Sequence, residues 1–146
     1  MKIYTIGFTG KTAEEFFGLL NSTDAKYLVD TRLNNTSQLA GFTKKRDLGY
    51  FTEKLTGMSY LEMPTLAPEK DMFGVYRKDG NWDLYESRYL RLMEQRAIAK
   101  SIDRNLFADG VILLCSERTA EKCHRRLAAE YIQANIFPQS EIIHLH

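Results

Sequence analysis

The sequence predicts a single-domain α/β protein, a three-layer, Rossmann-like sandwich around a mostly parallel sheet of about five strands. Three observations carry this expectation. Short apolar runs alternate with longer amphipathic stretches, the order that builds a parallel sheet with helices on both faces. The run Val111-Ile112-Leu113-Leu114-Cys115 is unbroken and β-branched at its start, as strands buried on both faces tend to be. The 146 residues form one domain's worth of chain, a length that buries roughly 68–70% of its unfolded surface. No internal repeat, low-complexity tract or Gly/Ser linker divides residues 1–146.

In chain order, Lys2 to Ile6 reads as the first strand. Thr12-Ala13-Glu14-Glu15 has the Thr-x-x-Glu form of a capping box, so a helix carrying Phe16, Phe17 and Leu20 follows. Lys26 to Asp30 is a second strand, and a polar loop leads to a helix of about Thr43 to Thr56, closed by Gly57. Met58 to Met63 is a third strand, stopped by Pro64. Leu66 to Gly80 shows no clean period and holds Pro68, Gly74 and Gly80. It reads as a loop of the kind that serves as a lid or binding segment. Trp82 to about Phe107 reads as one long helix, with Tyr85, Tyr89 and Leu92 at i, i+4 and i+7. Val111 to Cys115 is the fourth strand. Thr119 to Asn135 is a helix with Ala120, Cys123, Leu127, Tyr131 and Ala134 on one face, and Glu141 to Leu145 is the last strand.

Charge and composition narrow the classes of function. Lys and Arg number 20 against 19 Asp and Glu, for a net charge of +1, so the strong basic excess of a dedicated nucleic-acid binder is missing. The longest apolar run falls far short of the ~20 residues needed to cross a bilayer. Met1-Lys2-Ile3-Tyr4 runs straight into strand-like sequence and lacks a signal-peptide layout. Two Cys in such a chain read as reduced thiols. The expectation is a soluble, cytoplasmic protein with no membrane partner. Gly10-Lys11-Thr12 matches the end of a P-loop, but Thr5 stands where that pattern needs its first Gly. No motif calls for a cofactor, although the helix start could hold an anion weakly.

In parallel sheets ligands bind beyond the carboxyl ends of the strands. The segments to inspect are therefore Gly7–Gly10, Asp30–Arg32, Met63–Leu66, Cys115–Glu117 and His144–His146. Asp30 and Arg32 are either a turn former with a surface charge or a device in which Arg32 forks onto an anion. In the latter, Asp30 orients Arg32 or exchanges a proton. Cys115 is either a small core hydrophobe or a thiol activated by a nearby helix start and Arg118. A phosphatase-type loop needs Arg six residues after Cys115, where Glu121 stands. In the next helix Cys123 lies on the apolar stripe, His124 at its edge, and Arg125 and Arg126 read as solvated. Cys115, Cys123, His124 and His144 could converge on a metal, although no CxxC or HxxxH pair supports this. Lys44-Lys45-Arg46 and Arg88, Arg91, Arg96, Lys100 and Arg104 are basic clusters, the second interrupted by Glu86, Glu94 and Asp103. Mixed charge of that kind usually marks a solvated face.

Several segments occur together in order: Thr5-Ile6-Gly7, Val29-Asp30-Thr31-Arg32, Ser37, Tyr60 with Pro64-Thr65-Leu66, Leu114-Cys115-Ser116-Glu117, Cys123-His124-Arg125 and Ile143-His144-Leu145. This pattern is similar to the widespread prokaryotic family catalogued as domain of unknown function 488, with its T-I-G, D-x-R, C-x-E and C-H-R motifs. The resemblance spans nearly the whole chain. Phe8 stands where the family usually has His, Asn35 replaces a usual Pro, and Ala67-Pro68 replaces a Gly pair. The resemblance implies an α/β fold and a polar pocket at Asp30, Arg32, Cys115, Glu117, Cys123, His124 and Arg125, and no particular activity.

The reading with most support is a small enzyme, a hydrolase or transferase, that takes a nucleotide- or phosphate-like anion. Cys115 is the candidate nucleophile, and Asp30, Glu117 and His124 are candidates for proton transfer. Arg32 and Arg125, with Thr9 and Tyr60, are the candidate substrate-binding residues. One alternative is a nucleic-acid-binding or processing protein using Lys44–Arg46 and the basic helix. Another is a metal site at Cys115, Cys123 and His124.

Overall fold

The computed structural model describes residues 1–36 and 41–146; Ser37 lies outside the described residues. Five strands, β1 (Lys2–Gly7), β2 (Tyr27–Asp30), β3 (Ser59–Glu62), β4 (Val111–Cys115) and β5 (Glu141–Leu145), form one sheet in the order β3-β2-β4-β1-β5. Every pairing is parallel. The α/β sandwich expected from the alternation of elements is the observed fold.

Side-chain alternation along the strands sorts two cores onto the two faces. On one face Ile6, Ile112 and Leu114 pack against Phe16, Phe17 and Leu20 of α1 (Ala13–Asn21) and Leu48 of α2 (Lys45–Thr56). On the other, Ile3, Val111 and Leu113 meet five helices. These are α3 (Lys70–Asp79), α4 (Trp82–Gln95), α5 (Ile98–Ser101), α6 (Arg104–Ala108) and α7 (His124–Asn135). The α1 start is a full capping box: Thr12 accepts from the Glu15 N–H, and Glu15 accepts from the Thr12 N–H.

The strand order locates the crevice at which sheets of this kind take their ligands. From β2 the chain runs outward through α2 to β3, and from β4 it runs the opposite way through α7 to β5. β2 and β4 are neighbours, so the two connections part between their carboxyl ends and leave a gap there.

Three helical expectations need correction. Leu66–Gly80 is not a loop: Pro64–Leu66 is a 3₁₀ turn and Lys70–Asp79 is a helix, closed by Gly80 at φ 64°. Only Met72 of that helix is fully buried, so its apolar period is too thin to register in the sequence. The stretch from Trp82 to Phe107 is three helices. It breaks at Ala97, whose φ of 54° is left-handed, and restarts where the Asp103 carboxylate accepts from the Leu106 N–H. The last helix begins at His124, not Thr119, with Cys123 as its extended N-cap residue. No helix among the described residues is long and apolar enough to cross a membrane.

Candidate active site

The end of β2 is a closed ionic network. Arg32 lays its Nε and Nη2 against Asp30 Oδ1 and Oδ2 at 2.9 and 2.8 Å, and its backbone N–H also donates to Oδ1. The Tyr60 hydroxyl and the Asn35 amide donate to Oδ2 as well. Burial and the Asp30 charge raise the Tyr60 pKa, keeping the phenol protonated as a donor. The guanidinium lies 5.5 Å from the centroid of the Phe8 ring, so the apolar residue at that position gives Arg32 a face to rest on. One group is left over. Arg32 Nη1 is buried and has no hydrogen-bond partner among the described residues, which in a fixed fork costs about 1–3 kcal/mol unless something else accepts its protons.

The end of β4 is built differently. Cys115 is buried in the last position of the strand. His124 faces it from the first turn of α7, with Nδ1 3.7 Å from Cys115 Sγ. Thr31 fixes the imidazole. Its hydroxyl donates to the Leu114 carbonyl at 2.7 Å, so at His124 Nε2 (3.1 Å) that oxygen can only accept, and the Thr31 carbonyl accepts at 2.8 Å. Nε2 therefore carries the hydrogen and Nδ1 turns its lone pair to the thiol. A nucleophile, a base and a third group that orients the base are the components of an activated thiol.

Electrostatics follow from these contacts. Burial alone would push the Cys115 thiol up. A hydrogen bond from Cys123, the charge and hydrogen bond of His124 and the Glu117 backbone N–H outweigh it, and the thiol is held well below its ordinary range. Burial would likewise lower the His124 pKa, but the neighbouring Cys115 and the Thr31 carbonyl raise it. Both shifts run toward a thiolate–imidazolium pair. Cys123, whose Sγ donates to Cys115 Sγ at 2.8 Å, is pushed well above the ordinary thiol range by burial and by that neighbour.

A cleft of about 800 Å³ opens over this pair. It is lined by Arg32, Cys115, Ser116, Glu117 and His124, by Leu33–Thr36, and by Lys70, Phe73, Gly74 and Arg77 of α3. Three cationic side chains and one carboxylate give the cleft a positive balance, and Arg32, held by Asp30, belongs to its wall.

Of the candidate residues, Arg32, Cys115, Glu117 and His124 are brought together at this cleft. Asp30 and Tyr60 stand behind Arg32. Thr9 is elsewhere: its hydroxyl and N–H both donate to the Ser116 carbonyl, and it lines a separate depression with Lys11 and Arg118. Arg125, expected to be solvated, is completely buried, with Nη1 on the Glu117 carbonyl at 2.6 Å and 3.7 Å from Cys123 Sγ. It fits there because residue 7 is Gly; a Cβ would lie 1.6 Å from the Glu117 carbonyl oxygen and 2.6 Å from Arg125 Nη1. The same contact ties residue 117 to the first turn of α7, with Cys123 extended before it.

Lys70, Phe73 and Arg77 escaped the sequence reading. Their spacing of i, i+3 and i+7, with Gly80 as a stop, is the pattern of one helix face and could have revealed them. As for a metal, Cys115, Cys123 and His124 present three donor atoms within 4.8 Å. The Arg125 guanidinium beside Cys123 sets a positive charge against a cation there. His144 is not in the cluster; its Nδ1 lies 2.6 Å from the Thr5 hydroxyl.

No curated protein and no solved structure matches the chain at a significant level. The profile of the domain of unknown function DUF488 matches residues 12–132, a span that contains Asp30, Arg32, Cys115, Glu117 and the Cys123-His124-Arg125 turn. The chain belongs to the family of the domain of unknown function 488.

Proposed function

We propose that the protein is a group-transfer enzyme that holds a small anionic substrate in the crevice between β2 and β4 and attacks it with the Cys115 thiolate. The observation that carries this reading is the Cys115–His124–Thr31 chain beneath a cleft with a cationic wall. Arg32 Nη1 supplies a rigid donor for the anion, and Lys70 and Arg77 add positive charge from α3. Asp30 acts as a positioning residue, since Arg32, Asn35 and Tyr60 occupy its oxygens. In the covalent step Cys115 Sγ bonds to the electrophilic atom of the substrate. The leaving group departs with its electron pair and takes the proton that His124 Nδ1 holds.

The nucleic-acid reading draws less support. Lys45 pairs with Glu62, Arg46 with Asp47 and Arg88 with Asp71, and Arg96 donates to the Thr65 and Ala67 carbonyls.

The test is alkylation of each thiol against pH in native protein, read by peptide mass spectrometry with iodoacetamide and with anionic iodoacetate. Cys115 is expected to react with an apparent pKa well below the ~8.5 of a free thiol. It should favour iodoacetate over iodoacetamide more strongly than free cysteine does, and Arg77→Ala with Lys70→Ala should erase that preference. A Cys115 that stays inert below pH ~8.5 ends the proposal. Reactivity that appears only after a chelator also overturns it, in favour of a metal.

A further inference from the structure

The site holds a second thiol that a simple transferase has no use for. Cys123 Sγ lies 2.8 Å from Cys115 Sγ, so a bond of about 2.05 Å needs little further approach. Both thiols are free and buried. In a hydrolase such a neighbour is a hazard, because it can quench the nucleophile as a disulfide.

The two cysteines also line different openings. Cys115 lines the cationic cleft, and Cys123 lines a smaller, adjoining one of about 240 Å³. Arg77, Glu117, Phe73 and His124 border both openings. The second opening is walled by Tyr85 and Trp82, whose rings stack at 5.0 Å, and by Lys122. Tyr85 is only 4% exposed, and its hydroxyl is buried without a hydrogen-bond partner among the described residues. Arg32 belongs to the lining of the first opening and Tyr85 to that of the second, and each carries a buried donor with no hydrogen-bond partner among the described residues.

We propose that the electrophile attacked by Cys115 is a sulfur of a small anionic disulfide, and that Cys123 resolves the product, so that the site cycles between a dithiol and a Cys115–Cys123 disulfide. This rests on Cys115 being the attacking thiolate. Cys115 Sγ attacks one sulfur of RS–SR, the S–S bond breaks, and the departing RS⁻ takes the proton from His124 and leaves as RSH. Cys123 then passes its proton to His124 and attacks Cys115 Sγ. The second RS⁻ leaves with that proton, two electrons having passed from the protein thiols to the substrate. An external dithiol attacks Cys123 Sγ from the second opening, and as it becomes a disulfide it restores both protein thiols. A carbon electrophile would leave Cys115 sulfur with no leaving group for Cys123 to displace. A sulfur electrophile gives the second thiol its task.

The experiment uses the full reduced chain and oxidised glutathione, a disulfide carrying several carboxylates, followed by intact-mass and peptide mass spectrometry. Wild type is expected to lose two hydrogens and retain no adduct. Cys123→Ser and Cys123→Ala should each stop with one glutathionyl group on Cys115, and Cys115→Ser should take up none. Hydroxyethyl disulfide, which is uncharged, should oxidise wild type about tenfold more slowly once its rate is normalised to reaction with free cysteine. Equal normalised rates would overturn the anionic substrate class. If Cys115 alkylates as a thiolate yet wild type keeps a stable mixed disulfide, the resolving role of Cys123 is wrong and the group-transfer reading stands. If Cys115 resists both alkylation and the disulfide, both fall.

Discussion

At the end of β2 the carboxylate of Asp30 accepts from Arg32, Asn35 and Tyr60, whereas at the end of β4 the Cys115 sulfur meets a base that is itself held in place by Thr31. Both residues end neighbouring strands, both are buried, and in sequence both read as candidates for chemistry. The difference lies in where the hydrogen-bonding capacity goes. Asp30 spends its lone pairs holding an arginine, so its contribution is rigidity. Cys115 has donors that favour its anion, and those same contacts leave the sulfur on the cleft wall. A polar residue at a strand end is available for chemistry only when its neighbours leave it something to do.

Removing Asp30 should have the largest effect, and on stability first. Asp30→Ala strands a buried guanidinium, and breaking a buried pair from one side costs about 3–5 kcal/mol. The urea midpoint should fall accordingly. The double variant Asp30→Ala/Arg32→Met, which buries no charge, should recover most of the loss. An Asp30→Ala protein of normal stability with an inert Cys115 would instead place Asp30 in the chemistry and erase the contrast.

Gly7→Ala comes next, because it strikes the other end of the comparison. Its Cβ would lie 1.6 Å from the Glu117 carbonyl, so the loop must move. A cost of about 1–3 kcal/mol is expected, as for overpacking. The displaced Glu117 N–H would stop favouring the thiolate, so the apparent pKa of Cys115 in alkylation should rise as well. Gly18→Ala is the control, since nothing lies within 4 Å of a Cβ there and an exposed helical Gly→Ala change is neutral or slightly stabilising. A Gly7→Ala variant with unaltered Cys115 reactivity would show that the Glu117 loop does not govern the thiol.

His124→Gln sharpens the contrast on the reactive side. It keeps a hydrogen-bonding group and removes the imidazolium charge. Without that charge the thiol pKa should rise toward the ordinary range, and the alkylation rate at pH 7 should drop by about tenfold. An unchanged pH profile would assign the activation to Cys123 and the Glu117 N–H instead.

What could be read in advance follows the same division between what is local and what is tertiary. The strands were legible because β4 and its neighbours bury both faces and read as continuous apolar runs. The α1 start was legible because a capping box is a four-residue device. That Arg32 and Cys115 meet at one cleft was legible because both follow or end neighbouring strands at the carboxyl side of the sheet. Arg125 was not. Nothing within its own helix says that a guanidinium will be entirely buried, and the reason lies at Gly7, 118 positions away. Helix α3 hid because a single fully buried residue, Met72, gives no period. The break at Ala97 hid because a left-handed turn there uses no glycine.

The two histidines near the sheet edge give the mildest test, and their signs oppose. At His124 the pKa is raised in the folded protein, so the stability it contributes is complete below the unfolded value of ~6.5 and fades as pH climbs through the folded one. At His144 burial comes first, with the charges of Arg125, Arg126 and His146 adding to it, and the pKa is lowered. Its contribution is present above ~6.5 and is lost as pH falls through the folded value. On the acid side of neutrality, before the carboxylates titrate, protonating His144 should therefore lower Tm modestly, and His144→Gln should flatten that limb. His124 acts with the opposite sign, adding stability as pH falls toward ~6.5 and levelling off below it. If the acid limb survives in His144→Gln and vanishes in His124→Gln, the pairing of His124 with Cys115 is wrong, and β4 would end in a closed network like β2.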